Sequence, residues 1–553
     1  MADEVRITFL GGLGEIGRNC ACIAQGDRMV VLDCGIMFPE PDMPGVDLVL
    51  PDFTYLHDHA EQVEAVVLTH GHEDHTGGLA YLLRELSVPV FGSALTLGLA
   101  RNRVEEAGLL DRATFVEVAD GERRVVGPFE LEFIPVTHFF NDTATTEIYT
   151  AQGVVLHSGD FKIDLTPVDG RLTDLGRIGA IAKQSGIRLL LADSTNAEEP
   201  GFTASEMEVG ATLRRVFQAH AGHRLVVTCF ASHIHRIQQI FDAAIAEGRK
   251  VATLGRSMAK NVALARRLGL LTVDDSALID VERVEDYADG QVCVVSTGSQ
   301  GEPLSALSLM AAGENKRLRL RDGDVVVISA HPIPGNEWAV GRVIDGLYRT
   351  GAEVVHTGNE PVHVSGHARQ GELKILQSVA RPEWFVPVHG EYRHLVNHGR
   401  LAQQMGVPAH RVVLCEDGDS LVLDGDGLRR GPDVPAGFLY VDGTVGDVGH
   451  GVLRDRRMLA EEGVVVVVAT VDPHAREVIK KPEIITHGWV HAPEAEELLE
   501  EAALTVRAAL ESALADGATD QDALRRHARK ALGKFVGDRT RRRPMILPLV
   551  VTV

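Results

Sequence analysis

The sequence predicts an α/β protein of several domains, on three observations. At 553 residues the chain is several times the scale of about 150 residues typical of one domain. Hydrophobic residues make up 45% and charged residues 24%, so large cores can form and general disorder is excluded. Short β-rich runs alternate with glycine turns and helical stretches, in two different rhythms.

Over residues 5–191 the runs VRITFL, MVVLDCG, AVVLTHGH, VVLHSGDFK and LLLADST read as strands ending in polar residues, the place where open α/β sheets carry their chemistry. Over 203–356 long helical stretches separate LVVTCF, VCVVSTG and DVVVISA, which predicts a doubly wound parallel unit. EVVHTG, HVSGHA and FVPVHGEYRH then bring back histidine-bearing strand ends, so the second unit is expected to be inserted into the first. A glycine-rich stretch near 450, the run VVVVVATVD, an acidic helix (Glu494, Glu496, Glu497, Glu500, Glu501) and a basic run over 525–543 predict a small C-terminal α+β domain. The expected boundaries are 1–202 and 356–449 for the two parts of the first domain, 203–355 for the insert, 450–465 for a linker and 466–553 for the C-terminal domain.

The net charge of −23 argues against a protein that coats nucleic acid through its overall field, though not against a local phosphate site. Six cysteines without a C-x-x-C pair argue against a thiolate zinc site and for a reducing cytoplasm. No apolar run is long enough to cross a bilayer, and MADEVRITFL does not read as a signal peptide. A cytoplasmic protein with no membrane association is expected.

AVVLTHGHEDHTGG places His70, His72, Asp74 and His75 directly after a strand-like run. Three imidazoles and a carboxylate within six residues can converge on metal if the backbone turns sharply, and Gly71 after a strand end permits that turn. Solvated loop histidines are the bland reading; the H-x-H-x-D-H spacing favours the metal.

This motif resembles that of the metallo-β-lactamase superfamily, which implies an αββα sandwich with a one- or two-metal site at one edge. His138 ending LEFIPVTH, Asp160 in LHSGDFK and His389 in FVPVHGEYRH match the superfamily's remaining ligands. The resemblance implies one ion held by His70, His72 and His138, a second by Asp74, His75 and His389, and Asp160 bridging both. Nitrogen and oxygen donors suit two divalent ions, zinc or manganese. Asp33 in VVLDCG and the GGLGEIGRN turn match the superfamily's early strands, where the aspartate steadies the metal loop.

The insertion between Asp193 of LLLADSTN and the segments HVSGHA and PVHGEYRH resembles the β-CASP group, the branch that cleaves nucleic acid. GGLGEIGRN, THGHEDHTGG, LLLADSTN, TCFASHIHR, STGSQGEP, SAHPIPGNE, HVSGHA, PVHGEYRHL and RRRPMILPLV together resemble the bacterial ribonuclease J family across essentially the whole chain. The resemblance implies a 5′-to-3′ exoribonuclease that prefers a 5′-monophosphate end and also cuts internally, acting in RNA maturation and decay. Single-stranded RNA is the implied partner, with a homodimer or homotetramer supported by the C-terminal domain and RNA-degradation complexes as further partners. Asp74, Asp193 and His367 are the implied catalytic set, with His367 as a proton donor to the leaving oxygen. Ser232, His233, Ser365, Gly366 and His367 offer hydroxyl, backbone N–H and imidazole groups for a terminal phosphate; turn and capping hydroxyls are the bland reading of the two serines. Arg236, Arg256 and Lys260 of the insert are expected to supply local positive charge for RNA. The basic run reads either as an RNA contact or as a helix docked on the acidic 494–501 stretch; its apolar positions Leu524, Ala528 and Leu532 at helical spacing favour docking.

One segment departs from the pattern. After His138 the resemblance implies a Ser-Ile-Pro-Asp-Ser-like turn and a small apolar strand, whereas this chain has FFNDTATTEIYT over 139–150. Glu147 then falls in a half-buried strand, where an unpartnered carboxylate is costly. The stretch resembles a translated sequencing-adapter fragment, a reading that stands beside natural loop variation. Two other functions compete with the ribonuclease: a metallo-hydrolase of small thioesters, opposed by the insert, and a catalytically silent scaffold of an RNA-degrading complex, opposed by the full ligand set.

Overall fold

A computed structural model describes residues 4–138, 143–333, 335–443, 446–491 and 495–553, and it resolves into two compact units, Met1–Met37 with Leu50–Phe438, and Phe38–Val49 with Leu439–Val553. The larger unit contains two facing sheets. The first has eight strands in the spatial order Gly427–Arg430, Ser420–Asp424, Val5–Gly11, Cys20–Gln25, Arg28–Leu32, Val63–Val67, Val88–Gly92 and Ala113–Glu117. The second has six, Trp384–Val388, Ile187–Asp193, Gly153–His157, Ala144–Thr150, Phe129–Pro135 and Arg123–Val126. Ile7, Phe9, Ile23, Val30 and Val67 of the first sheet share one core with Leu131, Phe133, Ile148, Val155, Leu189 and Val386 of the second. These are alternate residues along their strands, as the pleat requires. The outer face of the second sheet is covered by the helices Leu175–Gln184, Gln370–Ala380 and Tyr392–Gln404, and the helix Ala94–Glu106 packs on two strands of the first. The expected αββα sandwich is observed.

The chain leaves the second sheet at Asp193 and returns on the neighbouring parallel strand, with Asp193 opposite Val388. Between the two lies a five-stranded parallel sheet in the order Lys250–Leu254, Val292–Ser296, Leu225–Thr228, Val325–Ile328 and Glu353–Val355. LVVT, VCVVS and VVVI are buried along their whole lengths, as strands covered by helices on both faces must be. The sheet order reverses at Leu225–Thr228, so the residues that follow it, through Ser232 and His233, lie at the switch point where such sheets bind ligands.

The strand Ala144–Thr150 pairs antiparallel with Phe129–Pro135 and Gly153–His157, placing Glu147 beside Glu132 and Leu156. Glu147 is fully buried. Among the described residues its Oε1 has no hydrogen-bond partner, and Oε2 accepts from the Tyr149 hydroxyl at 3.4 Å. Burial and the nearby Glu132 push its pKa up to about 8. The cost expected of this segment therefore falls on this carboxyl and, beside it, on Thr146 Oγ1, which is buried without a hydrogen-bond partner among the described residues; the preceding residues 139–142 lie outside the described residues.

In the smaller unit the sheet Glu477–His487, Val464–Asp472, Met545–Thr552 carries the helices Glu496–Ala515 and Gln521–Thr540 on one face, around Val465, Val467, Val506, Leu510, Leu524, Ala528 and Leu532. Asp520 caps the second helix by accepting from Ala523 N at 2.9 Å. The docking expected of the basic run is seen in its apolar stripe and in the ion pair of Arg539 with Glu501, while Glu494 lies outside the described residues. The stretch expected as a linker is a helix over Gly449–Glu462. Phe38–Val49 joins this unit, where Arg457 pairs with Asp42 at 2.6 Å. Among the described residues no helix is long and apolar enough to cross a membrane.

Candidate metal centre

The strand Val63–Val67 is buried, and the chain turns at its end so that His70, His72, Asp74 and His75 leave in one short loop and helical turn. Three features hold the loop. Asp33, in the left-handed region at φ 59°, accepts from Thr69 N at 2.8 Å, Thr69 Oγ1 at 2.9 Å and His75 Nδ1 at 2.8 Å. Asn19 Nδ2 donates to Asp74 O at 3.0 Å. Gly35 lies so close to Asp74 that a Cβ there would stand 1.6 Å from the carbonyl oxygen, which no side chain permits. A left-handed non-glycine residue is strained, and such strain concentrates at sites held by their surroundings.

His138 enters from the second sheet, Asp160 from the turn after Gly153–His157, and His389 from the end of Trp384–Val388 with φ 54°. His70, His72, His138 and Asp160 can direct one donor atom each to a common point, as can Asp74, His75, Asp160 and His389. The Asp160 Oδ2 stands 3.5 Å from His70 Nε2, 3.3 Å from His75 Nε2 and 4.0 Å from His138 Nε2. Its Oδ1 is 3.6 Å from His389 Nε2, and Asp74 Oδ2 is 3.4 Å from the Nε2 atoms of both His75 and His389. Two ligands each about 2.1 Å from one ion at the tetrahedral angle are about 3.4 Å apart. Among the described residues Asp160 Oδ1 is buried without a hydrogen bond, and a cation is what such an acceptor among imidazoles lacks. All seven predicted ligands are thus brought together, and the residues present fit a divalent metal.

The histidines are oriented from behind, as metal-ligating imidazoles usually are. His138 Nδ1 donates to Gly366 O at 2.8 Å and His75 Nδ1 to Asp33, which turns each Nε2 inward. Burial holds His70, His72 and His138 below the usual imidazole range, His72 at about 4, so their lone pairs are available at neutral pH. Burial opposes ionisation of Asp74 and Asp160, but the surrounding histidines outweigh it and keep both carboxylates well below their ordinary range. For His75 and His389 burial is likewise outweighed, chiefly by Asp160, and their values rise.

Asp193 and His367 adjoin the candidate ligands. Asp193 Oδ2 accepts from His367 Nδ1 at 2.8 Å, and its negative charge, with that of Asp160, overcomes burial to raise the His367 pKa. Ser365 Oγ accepts from Asn196 Nδ2 at 2.9 Å and from His367 N at 3.2 Å. Ser232 is half-buried and His233 wholly buried, with His233 Nε2 3.5 Å from Glu206. Three supporting residues escaped the sequence reading. Thr195 bonds both Asp193 Oδ1 and His389 Nδ1 at 2.7 Å, Asn196 holds Ser365 and the His367 carbonyl, and Thr69 links Asp33 to His70. The first two lie in LLLADSTN, and Thr69 immediately precedes His70; that proximity was the available signal.

Arg236 does not serve RNA as expected. Its guanidinium is fully buried, pairs with Glu206 at 2.5 and 2.8 Å and donates to the carbonyls of Ser329 and Val362. A saturated buried fork of this kind is a structural tie. Lys260 is paired with Glu106.

A two-sheet sandwich with this histidine and aspartate cluster at one edge defines a metal-dependent hydrolase of the metallo-β-lactamase class, and residues 13–199 match the model of the metallo-β-lactamase superfamily. Residues 222–347 match the ribonuclease J β-CASP domain, 352–412 the Zn-dependent metallo-hydrolase RNA specificity domain, and 451–553 the ribonuclease J C-terminal domain. Ribonuclease J of Mycobacterium tuberculosis is 44% identical over 551 residues, covering 99% of this chain and 97% of that protein. Ribonuclease J of Thermus thermophilus is 44% identical over 99% of this chain and 95% of its own length, and ribonuclease J2 of Bacillus subtilis 39% identical over 100% and 99%. A crystal structure of a protein of unknown function from Enterococcus faecalis shares the fold at TM-score 0.54 and 16% identity, covering 76% of this chain and all of that one. The chain belongs to the ribonuclease J family.

Proposed function

We propose that this metal-dependent ribonuclease of the ribonuclease J family holds two divalent ions, zinc or manganese, and degrades RNA 5′-to-3′ from 5′-monophosphate ends, with internal cleavage as a second activity. The observation that carries the reading is Asp160, one carboxylate standing between two complete ligand sets. His70, His72 and His138 would hold one ion, Asp74, His75 and His389 the other. Two such ions lower the pKa of a water and neutralise charge on a phosphodiester.

The chain's own residues supply the rest. Asp193 fixes the His367 ring through Nδ1, leaving Nε2 to hand a proton to the leaving oxygen. Ser232, His233, Ser365 and Gly366 are the candidate receptors of the terminal phosphate; a pocket with a fixed set of donors favours a monophosphate over a bulkier triphosphate. The role proposed is RNA maturation and decay in the cytoplasm, in a homodimer or homotetramer that can join RNA-degradation complexes.

With a 3′-labelled RNA, the 5′-monophosphate form is expected to disappear faster than the 5′-triphosphate form; equal rates would overturn the end preference. His367→Ala is expected to lower kcat on RNA by about 10²- to 10⁴-fold, the usual worth of a general acid. Replacing the leaving oxygen by sulfur should restore most of that rate, and an undiminished defect would refute the proton-donor role.

The oligomer has a candidate contact in the smaller unit. On the sheet face away from the helices, Val466, Val468 and Thr470 stand beside Leu547, Leu549 and Val551, and these last three are 42, 51 and 51% exposed. An exposed apolar patch of this kind marks an association surface. Leu547→Glu with Leu549→Glu is expected to shift the protein to monomer in light scattering, with its melting transition preserved.

A further inference from the structure

The 525–543 segment holds nine Lys/Arg against one acid in a chain of net charge −23, and docking uses only part of it. In the helix Gln521–Thr540 the residues Leu524, Ala528, Leu532 and Val536 are fully buried. At about 100° per residue, Arg526, Lys530 and Lys534 lie on the opposite side, and all three are exposed, as is the adjoining Arg529. Arg526 reaches Asp520 only at 4.0 Å; among the described residues Arg529, Lys530 and Lys534 have no ion pair. By contrast, Arg539 at the helix end is paired with Glu501.

Like charges four residues apart on a helix repel and destabilise it. A face needed only for solubility is more stable with acids interleaved; here Asp522 and Asp538 stand only at the two ends of the row, and no acid lies within it. The cations recur about every 6 Å along the axis, a straight row that suits the successive phosphates of an extended strand. No aromatic or large apolar side chain interrupts it, whereas protein interfaces centre on such anchors and are depleted in lysine.

We propose that the outer face of Gln521–Thr540 is a second, non-catalytic surface that binds the phosphate backbone of single-stranded RNA without reading its sequence. It rests on the reading of RNA as the substrate and adds a contact separate from the metal centre. Binding by such a row is driven by counterion release and is steeply salt-dependent.

The test uses the full chain in chelator, so that no cleavage occurs, and a fluorescent oligouridine of about 30 nucleotides whose anisotropy is followed across a salt series. The triple variant Arg526→Ser, Lys530→Ser, Lys534→Ser is expected to bind at least about tenfold more weakly at low salt, with the slope of log K against log salt smaller by about 2, roughly 0.7 for each lost phosphate contact. Arg526→Lys should bind as the wild type does. With metal restored, the triple variant should cleave an oligonucleotide of five residues at the wild-type rate. Unchanged long-RNA affinity and slope, in a wild type that cleaves RNA, would overturn the surface and leave the ribonuclease reading intact. A wild type that neither binds nor cleaves RNA would overturn both. Labelled polyglutamate bound as tightly as RNA would assign the row to an acidic protein and overturn the proposal.

Discussion

Asp160→Asn is expected to reduce RNA cleavage by at least about 10³-fold and to leave the chain with fewer bound ions than the wild type. The asparagine keeps the shape but replaces the anion proposed to bridge the ions with one neutral acceptor. Around it stand the Nε2 atoms of His70, His75 and His389 at 3.5, 3.3 and 3.6 Å, which with Asp74 would then face two cations with a single carboxylate between them. Asp74→Ala should be milder in ion content, because it removes one donor of the second set only, yet it too should stop cleavage if both ions are needed. Metal analysis of the purified variants checks this. Ion content and rate both unchanged in Asp160→Asn would refute the bridging role.

Glu147→Gln is expected to stabilise the larger unit by about 3 kcal/mol at pH 7. The sign follows from the buried carboxyl, whose folded pKa stands at about 8 against the ordinary 4.5 of a glutamate. Below 4.5 both states are protonated and nothing is lost. As pH rises, the unfolded chain releases a proton that the folded chain retains, so stability falls by about 1.4 kcal/mol per unit until the folded group also ionises. The glutamine has no charge to bury, and its amide can donate to Glu132, which already accepts from Arg177 Nε at 2.6 Å and from the Tyr149 hydroxyl at 2.8 Å. Melting of wild type and variant at pH 4.5, 7 and 8.5 should show curves that coincide at the acid end and separate upward. A constant offset at every pH would mean that packing, not ionisation, sets the cost.

These two residues also show what a sequence exposes. Asp160 was legible because H-x-H-x-D-H announces metal, and the superfamily pattern then asks for a carboxylate at a later strand end. Glu147 was legible as a misfit because the core side of a half-buried strand has no place for an unpaired acid. Arg236 was misread, although its spacing from Ile240 places it on the buried face of Ile234–Ala246. Its partner Glu206 lies thirty residues away, too far for local pattern to suggest. Thr195 was missed because its link between Asp193 and His389 spans 194 residues and exists only once the insert is folded out of the sheet. The attachment of Phe38–Val49 to the C-terminal unit has no local signature, being a contact between segments some 400 residues apart.

Cleavage of a 5′-monophosphorylated RNA by metal-stripped protein, to which manganese or zinc is returned in known amounts, tests the two-metal centre most directly. The prediction is no cleavage without metal, activity that rises until about two ions are bound per chain, and no activity in Asp74→Ala at any metal concentration. Full activity in the stripped protein, or none after two ions are bound, would contradict it.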